Sequence, residues 1–291
     1  MFAGVAVPDL AAAVRPFLAP VVIGTLTVTL LRLDWQRLSG ALRRPRLAAA
    51  LTLWLLVVAP LVVWFVTGLL GLPPDLRLVL LLQAAAPPIG SAAVFVLILG
   101  FDGVVAMIVT VAATLLLPLT LTPLVGLLLP EAGVQVDLVA FFVRVTLLVV
   151  APFAIAALLR RLVGSQRLAR SDEQLAGLSV LILVALSLAV MDGVTAKLLA
   201  DPWAVGRLLG VASVATVLLH LAGWAPFYGA GTGIAVSAAV ASGNRNLGLI
   251  LAVTGGTAGE TFSLFVGIAQ IPMFVAPLLM SLFISRRPVS R

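Results

Sequence analysis

Long apolar runs separated by short charged stretches fill the chain from near Leu10 to near Ile284. A helix that crosses the hydrocarbon core of a bilayer needs about 20 residues at about 1.5 Å each. By that measure the pattern predicts nine apolar segments, near 10–31, 46–70, 76–99, 103–129, 137–159, 174–197, 203–225, 227–253 and 258–284. The fold class predicted is an all-α polytopic membrane protein with one transmembrane domain over 1–291. The first run is long enough to stay as a span, so no separate signal peptide is expected.

Two segments are interrupted. In "AAAPPIGSAA" about a dozen residues, Asp75 to Ala86, precede Pro87-Pro88, and about eleven, Ile89 to Leu99, follow. Neither half spans alone, and a Pro pair removes two backbone donors and disfavours helix just before it. In "ASGNRNLGLILA" Phe227 to Ser242 precede Gly243, Asn244, Arg245 and Asn246, and Leu247 to Val253 follow. That last piece covers only about 10 Å as a helix, so GNRN is a break inside a span and not a surface loop. Broken helices at membrane depth survive only where protein or a water-filled cavity covers them. Pairs of them mark the binding site of transporters built from inverted repeats. Here segments 1–4 (about 10–129) would match segments 6–9 (about 174–284), with segment 5 (about 137–159) linking them. The peptide "LLVVAP" occurs twice but pairs non-equivalent segments, so it is read as chance.

Composition agrees with the pattern. Of 291 residues 62% are hydrophobic and 10% charged, against roughly 25% charged in soluble domains. The net charge of +7 sits in alternate loops. Arg32, Arg37, Arg43, Arg44 and Arg46 form one basic set, Arg160, Arg161, Arg167 and Arg170 a second, and Arg286, Arg287 and Arg291 a third. The opposite loops are acidic or mixed, with Asp75, Arg77, Glu131, Asp137, Asp192, Lys197, Asp201 and Glu260. The positive-inside rule then puts the C-terminus in the cytoplasm and the N-terminus outside, in what is expected to be a bacterial inner (plasma) membrane. The basic charge is read as orientation, and no nucleic-acid partner is expected. With no Cys and one His, neither a disulfide framework nor a zinc site is expected, and no nucleophile–base pair suggests an enzyme.

Arg245 is the sharpest chemical feature. An Arg at bilayer depth costs roughly 2.5–3.5 kcal/mol even on the mild insertion scale. Its fork suits carboxylates and other oxyanions. Two roles are open to it: a fixed charge that holds an anion or stands in for a bound cation, or a structural tie to backbone carbonyls at the break. Asn244 and Asn246 offer donors and acceptors to unwound backbone. Pro87, Pro88, Gly90 and Ser91 form the partner break. Thr110 and Thr114 lie four apart on one helix face, as ligands or as hydroxyls bonded back to the preceding turn. Asp102 is expected to cap segment 4, Arg144 to snorkel outward, and Glu260 to be solvated with proton coupling as its other role. His220 is either a satisfied packing residue or a proton relay. Tyr228 and the Trp residues fit interface anchoring. "GTGIAVSAAVASG" lacks the Lys-Ser/Thr of a phosphate loop.

The order of "LRRPR", "LPPDL", "PPIGSAAV", "LTP" and "SGNRNLGL" resembles the bile acid:sodium symporter family over nearly the whole chain. The resemblance implies a core domain with two crossing broken helices, a flatter panel domain, and alternating access for bile acids and other organic anions. It also implies ten helices when complete and nine when the first is absent. The family's first crossing motif is similar to Pro-Gly-Gly followed by Ser-Asn. Here Pro87 matches, while Pro88 and Ile89 replace the glycines and Ala92 and Ala93 the Ser-Asn. The second is similar to Glu-x-Gly-x-Gln-Asn. Gly243 and Asn246 match, but Ala241 stands for the Glu and Arg245 for the Gln. By resemblance the ion-site positions are Thr110, Thr114, Ser242 and Asn246. Most sodium ligands are therefore missing, and a hard cation needs several oxygens and is repelled by an adjacent Arg.

The expected function is a secondary transporter of a small organic anion, lying in the lipid bilayer, with sodium coupling weakened or absent, or replaced by protons. No cofactor is expected. Arg245 would be the fixed cation. The competing expectations are a sodium symporter that uses backbone carbonyls and a non-transporting membrane sensor or assembly partner.

Overall fold

The computed structural model describes residues 4, 6–33, 45–128 and 137–284, and its regular elements there are helices. In chain order they are α1 (Pro8–Leu31) and α2 (Pro45–Leu69), α3 (Pro74–Ala85), α4 (Ala92–Ile98), α5 (Val104–Leu128), α6 (Leu138–Val163) and α7 (Ser165–Arg170). There follow α8 (Asp172–Val190), α9 (Val194–Ala200), α10 (Pro202–Trp224), α11 (Thr232–Gly243), α12 (Leu247–Thr254) and α13 (Gly259–Phe283). Among the described residues seven helical runs are long and apolar enough to cross a membrane. The protein is an all-α polytopic membrane protein. The predicted loop residues Arg37, Arg43, Arg44, Glu131, Arg286, Arg287 and Arg291 lie outside the described residues.

The elements fall on the predicted segments, with local differences. The first interruption is wider than the Pro pair alone suggests, leaving α4 only seven residues long. Phe227 to Ala230, expected to open the eighth segment, instead form a 3-10 turn that prolongs α10. Gly231 ends that turn at φ +109°, a backbone that a residue with a Cβ adopts only under strain. Two long helices carry irregularities that hydropathy does not show. α1 tightens to 3-10 over Arg15–Phe17 at Pro16, and α2 widens to a π-turn over Trp54–Val58 just before Pro60. Asp102 and Asp137 accept backbone N–H groups at the starts of α5 and α6 (Val104 at 3.0 Å, Val139 at 2.9 Å and Ala140 at 3.0 Å).

Packing sorts the helices. α1 lies against α6 and α8, and α10 lies against α11 and α13. α12 meets α1, α6 and α13. Every residue of α12 is buried, as expected of a helix that is apolar all round. In contrast Phe65, Leu147 and Leu282 are largely exposed (63%, 62% and 76%), on the surface that lipid covers. The breaks end up deep inside: Ala86 to Pro88 and Ala241 to Ile250 are all buried.

Candidate functional site

The two breaks meet and complete each other's hydrogen bonding. Pro87 disfavours helix at Ala86, whose ψ of 145° ends α3 in extended backbone. Pro88 then faces Arg245 as an antiparallel bridge. The Ile89 N–H donates to Asn244 O at 2.9 Å and the Asn246 N–H donates to Pro87 O at 2.7 Å. Unwound backbone away from water must find such partners, and each break supplies them to the other. The predicted pairing of Pro87 and Pro88 with Asn244, Arg245 and Asn246 is thus a direct backbone contact.

Arg245 lies behind this crossing with 0% of its surface exposed. Its Nε donates to Ser242 O at 2.7 Å, and one terminal nitrogen donates to Ala86 O at 2.7 Å and Leu55 O at 3.3 Å. Ser242 and Ala86 sit at the carbonyl ends of α11 and α3, where helix dipoles concentrate negative charge. Leu55 is available for a local reason. In the π-turn the Ala59 N–H goes to Trp54 O, and the residue five on from Leu55 is Pro60, which has no N–H. The second terminal nitrogen finds no protein partner. The guanidinium therefore ties three helices through their carbonyls.

The neighbouring residues are also committed. Asn244 accepts from or opposes His220, its Oδ1 lying 2.9 Å from the ring Nε2, and its Nδ2 donates to Met273 O on α13. The other ring nitrogen of His220 lies 2.8 Å from Thr216 O. Gly243 is required here by close approach: a Cβ on it would overlap the His220 ring. Asn246 caps α12, its Oδ1 accepting from the Leu249 N–H at 3.1 Å.

Of the other predicted residues, Thr110 and Thr114 donate to Ala106 O and Thr110 O, each at 2.7 Å. With Leu26, Thr29, Gly90 and Phe153 they line a mostly apolar crevice of about 30 Å³, on the face of the first break turned toward α1 and α6. Ser91 starts α4 half-buried, without a capping bond from its side chain. The Ser242 hydroxyl is buried without a partner, packed where a Cβ on Gly223 would overlap it. A second crevice of about 30 Å³ runs past Ile89, Ser187, Arg245, Asn246, Gly248 and Gln270. Both volumes are water-sized. Sequence reasoning did not single out Gln83, 0% exposed with both amide atoms unpartnered, nor the carbonyl of Leu55. A lone Gln one turn before a Pro pair was the signal for the first. Glu260 is exposed, as is Tyr228, whose ring lies 4.7 Å from that of Trp224.

Arg245 borders the second crevice only, and the first is lined by α1, α5 and α6 beside Gly90. No curated protein matches the chain. The signature of the sodium bile acid symporter family matches residues 19–201, from α1 through α9. The first break lies within the match and the second lies beyond it. Members of that family are transporters. With more than half of its length matched, two interrupted helices crossing at depth and an apolar helical frame, the chain belongs to the sodium bile acid symporter family.

Proposed function

We propose that the protein is a secondary transporter of a small organic anion, working by alternating access, in which Arg245 replaces a coupling sodium as a fixed cation. The observation that supports this is the set of oxygens that Arg245 holds. Carbonyls at the ends of α3 and α11, joined by Leu55 O from α2, are the kind of hard oxygen cluster that coordinates a cation at a helix break. Here a guanidinium already uses them. Two unit charges 4 Å apart repel by about 4 kcal/mol at an effective dielectric of 20. A sodium ion beside Arg245 meets that penalty and lacks a carboxylate to offset it, since Ala241 stands where the family pattern has Glu. An organic anion meets the opposite sign. The water-sized crevices on either side of the crossing then fit a site that opens only when the helices flanking it move apart.

In this reading the end of the molecule that carries Arg32, Arg46, Arg160, Arg161, Arg167 and Arg170 faces the cytoplasm. The test is thermal stabilisation of the purified protein by a panel of organic anions, with sodium and with choline. Ligand that binds the folded state raises Tm in proportion to ln(1 + [L]/Kd). At least one anion is expected to raise Tm equally in both salts. A saturable rise with sodium chloride over choline chloride, in the absence of organic anion, would falsify sodium independence and leave the sodium symporter reading.

A further inference from the structure

Four groups joined by three contacts make a chain across the core behind the crossing. Thr216 O on α10 faces Nδ1 of His220, Nε2 faces the side-chain oxygen of Asn244, and the Asn244 amide nitrogen donates to Met273 O on α13. Three links need three donated hydrogens. A neutral imidazole brings one, and an amide can present its NH2 toward one neighbour only. That makes two. Turning the amide over does not help, because its oxygen then faces Met273 O. In either orientation one acceptor–acceptor contact remains, and with the amide oxygen toward Nε2 one added proton on the imidazole removes it. His220 is 6% exposed and Asn244 2%, so bulk water does not resolve the mismatch.

We propose that His220 is a proton-binding site built into the crossing, and that its proton is taken up together with the transported anion. The step is the addition of H⁺ from water to the lone pair of Nε2, giving an imidazolium that donates to Thr216 O and to Asn244 Oδ1. No other bond changes. The charged group facing His220 is Arg245, from the second break. The other elements packed on α10 bring no carboxylate to it. α11 has no titratable residue, the 3-10 turn has only the exposed Tyr228, and α9 has Lys197. On α13 the one titratable residue is Glu260 in its first turn, remote from Met273. Two cations side by side resist each other, and an anion at the crossing relieves both. Anion binding therefore raises the proton affinity of His220, and by linkage the proton raises the anion affinity by the same factor. This rests on the anion-transport reading and adds the coupling ion to it.

His220 is the single histidine of the chain, so ring-labelled histidine gives one NMR signal in protein purified on a tag free of histidine. On acidification that signal is expected to pass from neutral imidazole to imidazolium with both nitrogens protonated. In Asn244→Leu, which lacks the acceptor for Nε2–H, the midpoint is expected to fall by about one pH unit. Should that variant not fold, Asn244→Asp is expected to move the midpoint upward. The coupled step is read in sodium-free vesicles with a lumenal pH dye. External taurocholate and benzenesulfonate are used because both are too acidic to ferry a proton across the bilayer unaided. A carried anion acidifies the lumen with the wild type, and any anion that His220→Gln carries moves without acidification. A histidine that stays neutral across the folded range, a midpoint unmoved in both Asn244 variants, or anion uptake without proton movement each overturns the proposal. If neither anion is carried by either protein, the transport reading is what suffers, and the titration still decides the proton site.

Discussion

Arg245 stands where the resemblance of "SGNRNLGL" to the family's second crossing motif implies a Gln, and the exchange can be tested in reverse. Arg245→Gln removes the charge but leaves the carbonyls of Leu55, Ala86 and Ser242 converging on a smaller amide. The variant is expected to lose stability, since buried acceptors that lose a donor cost about 1–3 kcal/mol each. Under the fixed-cation proposal it is also expected to show a saturable rise in Tm with sodium chloride over choline chloride that the parent does not show. Arg245→Lys keeps the charge and should stay indifferent to sodium. Sodium stabilising the parent and the Gln variant alike would end the fixed-cation account. A second residue-scale test concerns Gly243, whose Cβ position the His220 ring already fills. Gly243→Ala should destabilise strongly. Gly210→Ala, where a Cβ meets nothing within 4 Å, should be neutral or stabilising by up to about 1 kcal/mol through helix propensity. Thermal melts of the two variants side by side check the contrast.

At the scale of elements, irregular helices place the site, and they differ in how far the sequence announces them. Pro87-Pro88 and GNRN interrupt apolar segments too short to span in pieces, so both breaks are legible from length alone. The π-turn in α2 is not. Hydropathy reads 46–70 as one unbroken run, and Pro60 looks like any proline tolerated in a span. Its effect appears only with the register shift over Trp54–Val58, which hands the carbonyl of Leu55 to Arg245. The same limit hides the His220–Asn244 contact, whose partners lie 24 residues apart on different elements. No periodicity in either helix encodes that meeting. A double-mutant cycle tests the role of the π-turn. Pro60→Ala restores an N–H that can close the turn onto its own helix, competing for the carbonyl that Arg245 uses. Combined with Arg245→Lys, the two losses of stability should be non-additive by about 0.5–1.5 kcal/mol. Simple additivity would mean that Leu55 O contributes nothing to holding the guanidinium.

At the scale of the whole molecule, alternating access requires the site to close toward one side while it opens to the other, and the structure shows what ties one end. Arg15, at the 3-10 turn of α1, donates to Ala189 O near the end of α8 at 3.3 Å and to the Ser263 hydroxyl near the start of α13 at 3.2 Å. Arg144 of α6 sits against Gly255 at the end of α12. Both arginines lie at the end opposite the basic loops, the outer end in the proposed orientation. At the end proposed to be inner, Arg160 instead holds the last carbonyls of α1, those of Leu30 and Leu31, and that of Leu33 just beyond it, within a group of helices that pack on one another. Arg15 thus bridges α1 and α8 to α13, and in the proposed alternating access opening outward is expected to break that bridge. The chain has no cysteine, so Ser187→Cys, beside the second break, would be the sole thiol of the protein. In the wild-type background a membrane-impermeant thiol reagent added outside is expected to label it slowly. Adding Arg15→Ala removes two hydrogen bonds, each contributing about 0.5–1.5 kcal/mol. A shift of about 1.4 kcal/mol toward the outward-open form raises its population, and hence the labelling rate, about tenfold. Labelling that is unchanged by Arg15→Ala, yet rises when the reagent is sealed inside, would place the closed end on the other side of the membrane and reverse the orientation.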